Sequence, residues 1–227
     1  MALGVNQPGT LLDSIGTAES LFMPLARPVT DPQAGRQGYE MGAHVSGGYY
    51  AMPSFRTAGV CIEWFREACT DNADFAVLDA EAVQAGAGAS GVRFLPHLRL
   101  PHSPQNDPQS RGAFVGLSTD VGRGALYRAV LEGLAFEMRA ALDPLLDYAG
   151  VERLTAIAAT GGVTRNRLLM EITATLMGQT IEVAELADGT TLGAALLGGI
   201  GAGVFRDVAD ATAHVSAHST PVEPVAE

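Results

Sequence analysis

The residues best suited to chemistry lie in two glycine-bearing turns, one near each end of the chain. The first is Ser14-Ile15-Gly16-Thr17, set between the apolar pairs Leu11-Leu12 and Leu21-Phe22. Its flanks predict a hairpin with small and hydroxyl residues at the tip. Backbone N–H groups freed by Gly16, with the Thr17 hydroxyl, would form a concave donor set for phosphate oxygens. The second turn is Ala159-Thr160-Gly161-Gly162-Val163-Thr164-Arg165-Asn166, between the apolar run 154–158 and a helical pattern carrying Leu168, Leu169, Ile172 and Leu176. A strand, a glycine pair and a helix bring backbone close to a nucleotide, because glycine lacks the Cβ that would collide. Asn166 follows Gly162 by about one helical turn, so its amide is expected to reach the same ligand. Each turn, taken alone, also has a purely local use as a hairpin or a β-to-α connection.

The elements that must hold these turns alternate along the chain. Residues 1–30 read as a hairpin region, and 31–53 as a polar loop with a strand near 45–52. Helical spacing of apolar residues predicts helices at 54–69, 73–84, 125–146, 165–177 and 190–204. Short apolar runs predict strands at 92–95, 114–117, 154–159 and 180–184. Between them, 96–112 is a proline-rich loop, and a long loop in a compact domain points to function. The C-terminal half is thus an alternating α/β arrangement. The expected domain covers 1–220, with 221–227 as a disordered tail.

Taken in order, the motifs resemble the C-terminal domain of the FGGY family of carbohydrate kinases. The stretch Gly4-Val5-Asn6-Gln7-Pro8-Gly9, running into Ser14-Ile15-Gly16-Thr17, is similar to the family's phosphate turn. Ala58-Gly59-Val60-Cys61-Ile62-Glu63-Trp64 is similar to the start of a helix that borders the nucleotide pocket. Phe94-Leu95-Pro96, Asp107-Pro108, 111–117 and 126–133 match further family segments, and Gly161-Gly162, Arg165-Asn166 and 191–195 complete the series. The resemblance implies an α/β fold: an actin-like ATPase domain with a ribonuclease-H-like core, one half of a two-domain sugar kinase. It implies ATP with Mg²⁺ as cofactor, with phosphates at Gly16 and Thr17 and adenosine by Gly59, Glu63, Gly161, Gly162 and Asn166. The Mg²⁺ would be held through the phosphates and the other domain.

That other, N-terminal domain supplies most of the sugar site in the family, and the catalytic Asp falls just upstream of Met1. The implied function is therefore the nucleotide-binding half of a carbohydrate kinase, inactive alone because phosphoryl transfer needs both halves of the site. Its partners would be ATP or ADP, the missing N-terminal domain and a second copy of itself, through the face that domain would cover. A non-catalytic remnant binding nucleotide or a partner weakly is the alternative, and another enzyme on the same fold is a third reading. Where relatives carry a third glycine this chain has Val163, which narrows the room beside adenine. Leu98-Arg99-Leu100-Pro101 replaces the family's Gly-Glu-Arg, and Glu63 stands where some relatives have glutamine.

Composition bounds these readings. All 14 basic residues are arginine, and a chain without lysine has no P-loop. A net charge of −11 without basic runs argues against nucleic acid as a partner. The apolar stretch 192–204 falls short of the ~20 residues that span a bilayer and reads as a buried helix, not a membrane anchor. Cys61 and Cys69 share one predicted helix about 12 Å apart along its axis, too far to bridge. Burial as small hydrophobes and a cytoplasmic location fit them. His97 and His102 flank Pro101 without a third ligand at metal spacing and read as solvated loop histidines; His214 and His218 read as fraying surface histidines. Ser110 lacks a nucleophile-elbow context. Asp13 reads as a hairpin residue, with a magnesium-bound water as its other use.

Overall fold

In the computed structural model, residues 3, 5–45, 47–99, 104, 107–186, 189–215 and 218–225 are described. The first hairpin is β1 (Thr10–Ile15) and β2 (Glu19–Leu25), paired antiparallel with Ser14 opposite Ser20. Alternation in β1 buries Leu11, Asp13 and Ile15 on one face, and β2 answers with Glu19, Leu21 and Met23. A helix α1 (Pro32–Arg36) follows, then β3 (Glu40–Ala43), β4 (Tyr49–Met52) and β5 (Ser54–Phe55).

The strand expected near 45–52 is β4, and the rest of the expected polar loop at 31–53 is structured too, as α1 and β3. Asp31 caps α1 by accepting from the Gln33 N–H at 2.8 Å, with Pro32 in the first turn. β4 extends the hairpin sheet because Tyr50 stacks on Phe22, centroids 5.3 Å apart.

Next come α2 (Gly59–Cys69), α3 (Phe75–Ala85), β6 (Arg93–Leu95), β7 (Ala113–Val115) and α4 (Arg123–Ala149). Helix α2 begins five residues later than its periodicity indicates, since β5 pairs with β2 through Ser54 and Phe55. The rest is β8 (Ala156–Thr160), α5 (Arg167–Met177), β9 (Ile181–Ala184), α6 (Gly189–Gly201), α7 (Val208–Ala213) and β10 (Ser219–Val222).

The main sheet runs β10-β9-β8-β1-β2-β4-β3, with β5 on β2. β8 lies parallel to β1 and to β9; the other pairings are antiparallel. Helix α4 is the spine of the core, with Val130, Leu131, Met138, Ala141, Leu142 and Leu145 buried. Glycine lets its neighbours close in. A Cβ on Gly124 would meet the Glu81 carbonyl oxygen at 2.5 Å, and one on Gly133 would meet that of Phe94 at 2.5 Å. Within α4, Arg128 and Glu132 form a buried ion pair at 2.7 Å, and the Glu132 carboxylate also accepts from the Gly88 N–H.

Three expectations change here. The tail does not begin at 221: Pro221 and Val222 belong to β10, Val222 is buried, and Thr180 donates to the Glu223 carboxylate at 2.6 Å. Helix 192–204 is not buried; α6 buries Leu196, whereas Leu197 and the following Val204 are exposed. Cys61 is buried, and burial pushes its thiol up to about 12, but Cys69 lies exposed at the end of α2. His214 closes α7, its Nδ1 2.7 Å from the Asp210 carbonyl oxygen. No helix among the described residues is long and apolar enough to cross a membrane.

Candidate nucleotide site

The two glycine turns meet, because β1 and β8 are adjacent parallel strands and both turns leave their C-terminal ends. Gly161 makes the junction. Its φ is +111°, and a Cβ there would lie 2.2 Å from the Ile15 carbonyl oxygen. Only glycine fits, so Gly161 shapes the site from behind. A Cβ on Gly162 would meet nothing within 4 Å. The start of α2 closes the third side: the Gly59 N–H donates to the Gly16 carbonyl oxygen at 3.0 Å, and the Ala58 and Val60 N–H groups reach that of Thr17 at 3.3 Å. A Cβ on Gly59 would strike the Gly16 oxygen at 2.6 Å and Val163 Cγ2 at 2.7 Å.

Between these elements lies a cleft of about 980 Å³. Six residues expected at a nucleotide line it together: Gly16, Thr17, Gly59, Glu63, Gly162 and Asn166. Gly161 is not on its wall. The donor set at the phosphate turn differs from expectation. The Gly16 N–H is spent on the Ala18 carbonyl oxygen at 2.8 Å, which tightens the hairpin and leaves Thr17 exposed at its tip.

Asn166 also differs. Its Oδ1 caps α5 by accepting from the Leu169 N–H at 2.8 Å, while its Nδ2 donates to Asp79 Oδ1 at 3.0 Å and to the Tyr127 hydroxyl at 3.1 Å. The amide is committed within the protein rather than held toward a ligand, so Asn166 acts as part of the wall. Tyr127 in turn donates to Asp79. Burial raises the Asp79 carboxyl above its ordinary range, and these two donors pull it partly back.

Helix α3 contributes Phe75 and Asp79, and α2 adds Ile62, Trp64 and Glu67; α2 is the expected border of the pocket, and α3 is an addition to it. A signal for Asp79 was present, since it stands in the mainly apolar segment Phe75-Ala76-Val77-Leu78-Asp79-Ala80. Glu63 is bound to Arg66 at 3.0 Å through one oxygen, Oε2.

Asp13 does not face the turn. It is fully buried beneath α4 and α5, beside Ile15, Glu19, Leu134, Met138 and Leu169. Burial pushes its carboxyl up to about 7, and burial together with the Asp13 charge raises Glu19 well above the usual carboxylate range; neither Asp13 oxygen has a hydrogen-bond partner among the described residues. The described residues contain no cluster of three or more His, Cys, Asp or Glu side chains able to hold a metal ion. His97 is not a solvated loop histidine. It is buried, with Nδ1 2.5 Å from Ser110 Oγ and Nε2 3.0 Å from Glu137, so His97 and Ser110 are held against α4. His102 lies outside the described residues.

Residues 11–202 match the model of the FGGY family of carbohydrate kinases, C-terminal domain. A glycerol kinase of Gloeobacter violaceus is 33% identical over 216 residues, covering 93% of this chain and 42% of the relative. A xylulose kinase structure from Rhodospirillum rubrum superposes with a TM-score of 0.83 at 28% identity, over 99% of this chain and 44% of that one. The Plasmodium falciparum glycerol kinase with ADP gives 0.78 at 20% identity, over 98% and 44%. The chain thus spans less than half the length of the relatives it matches. The fold is the actin-like ATPase domain of these kinases.

Proposed function

Since the chain belongs to the FGGY family of carbohydrate kinases, as its C-terminal domain, we propose that it is the ATP-binding half of an enzyme that phosphorylates a sugar or polyol hydroxyl. The observation that carries this reading is the single cleft joining both glycine turns to α2. Phosphates sit at Thr17 and the start of α2, and the nucleoside lies between Glu63 of α2 on one side and Gly162 and Val163 on the other. Asp13 is buried away from the phosphate turn, so Mg²⁺ would be held through the nucleotide's phosphates, where it would neutralise their charge, rather than by a carboxylate of this chain. Positioning and charge neutralisation dominate phosphoryl transfer, so this half alone holds nucleotide without turning it over.

Tested as the 227-residue chain, ATP and ADP should bind with a Kd between high micromolar and millimolar, about −4 to −6 kcal/mol. The same chain should phosphorylate no pentose, hexose or polyol above background. Turnover near ~1 s⁻¹, the low end for kinases, in a coupled ADP-release assay would contradict the half-site reading.

Helix α6 supports the second part of the proposal. An apolar helix that leaves Leu197 exposed suits a surface that another domain covers. We expect the chain to self-associate at micromolar concentration and to form a one-to-one complex with a separately expressed N-terminal kinase domain. Ultracentrifugation of the two together checks this; a monomer indifferent to the added domain counts against the interface. Cytoplasmic location belongs to the same proposal.

A further inference from the structure

Two walls of the cleft run in the same direction. On one, Gly59 touches the phosphate turn, and Glu63 and Glu67 follow at successive turns of α2, about 6 and 12 Å further along. On the other, Gly162 and Val163 precede Asn166 and its partner Asp79. The far end is thus lined by Trp64, Phe75, Glu67 and Asp79. Aromatic rings and carboxylates suit a flat, uncharged base and repel phosphate, which fixes the direction in which a nucleotide enters.

Within that end, the Asn166 amide is already donated to Asp79 and Tyr127. What remains is the Asp79 carboxylate, held by these donors and opening on the cleft. A carboxylate accepts hydrogen bonds and cannot donate them. Resting on the nucleotide reading above, we infer that Asp79 is the specificity-determining residue for the base, accepting a hydrogen bond from the exocyclic amino group of adenine. A base with a carbonyl oxygen at that position, such as hypoxanthine, would bring two acceptors together and leave both unpaired. Asn166 and Tyr127 are positioning residues that keep the carboxylate in place.

The test compares calorimetric titrations of the chain with ADP–Mg²⁺ and with IDP–Mg²⁺, whose bases differ at the amino position. A charge-assisted hydrogen bond exchanged for an acceptor–acceptor contact corresponds to a preference for ADP of roughly tenfold or more. In Asp79→Asn the carbonyl still receives the Asn166 and Tyr127 donors while its N–H₂ can serve the hypoxanthine oxygen. The preference should then fall to about twofold or reverse, without the uniform loss that a loosened wall would give both nucleotides. Equal binding of ADP and IDP by the unaltered chain overturns the assignment while leaving the nucleotide site standing. Absence of binding by both overturns the assignment and the nucleotide reading together. A preference that collapses in Glu67→Gln rather than in Asp79→Asn also overturns it.

Discussion

Raising the pH from about 5 to 8 should destabilise this domain, and Glu19→Gln should lessen that sensitivity by removing one of the two raised carboxyls. Asp13 and Glu19 lie diagonally across the β1–β2 ladder, both buried against α4, and Glu137 adds a third negative charge near Glu19. The folded state keeps protons on this pair that the unfolded chain releases near pH 4. A carboxyl whose pKa is raised on folding stabilises the fold below its unfolded value, and that contribution is lost as pH climbs toward the folded value, here about 7 for Asp13.

The steepest loss is about 1.4 kcal/mol per pH unit for one retained proton, so a total of ~2–4 kcal/mol is expected between pH 4 and 7. For a domain of this size that is on the order of 5–15 °C in melting temperature. In Glu19→Gln one of the two carboxyls is gone, removing the repulsion. The variant should melt higher than the parent at pH 8 and show a flatter profile. Thermal unfolding followed by circular dichroism decides the point; parallel, flat profiles for both proteins would falsify the retained-proton account. Glu81 and Asp210 are held below the usual carboxylate range by Arg123 and Arg206 and act in the opposite sense, so their support fades only as the solution becomes more acidic.

The second large effect separates two neighbouring glycines. Gly161→Ala places a methyl group against the Ile15 carbonyl oxygen at a backbone angle that side chains avoid. β1 and β8 must part to admit it, at a cost of about 3 kcal/mol or more, roughly 10 °C in melting temperature. At Gly162, which lines the cleft, a Cβ meets no atom within 4 Å, so Gly162→Val should melt within a few degrees of the parent yet fill space beside the nucleotide and abolish its binding. Melting curves and ADP–Mg²⁺ titrations of the two variants together form the check. Unchanged melting in Gly161→Ala would remove the close-contact argument, and undiminished binding in Gly162→Val would place the nucleotide elsewhere.

The contrast between these glycines marks what the sequence reveals. Both stand in one motif after an apolar run, which was enough to locate the turn. Their different tasks depend on which strand lies alongside, and β1 is distant in sequence. The same limit explains Asn166: its type and position identify a cap and a cleft residue, but its donors go to Asp79 and Tyr127, which are brought together by the packing of α3 on α4. The hairpin, the long helix and the alternating C-terminal half were legible because their periodicity is local. β3 and β10 were not, because their weakly apolar strands exist only by pairing with a sheet already formed, whereas β4 lies where a strand is expected. His97 likewise reads as an ordinary loop residue until α4 supplies Glu137.

The pairing of β1 with β8 has a consequence for how the domain is made. The Thr155 N–H closes on the Gly9 carbonyl oxygen across 146 residues of chain. β1 is therefore synthesised well before β8 and has one edge without its partner until β8 appears. Pairings of this span slow folding and expose strand edges in the meantime. A ribosome that stalls before residue 156 would release a hairpin with an open, apolar edge, and a chaperone that shields that edge would raise the yield of folded protein more than one that acts after release.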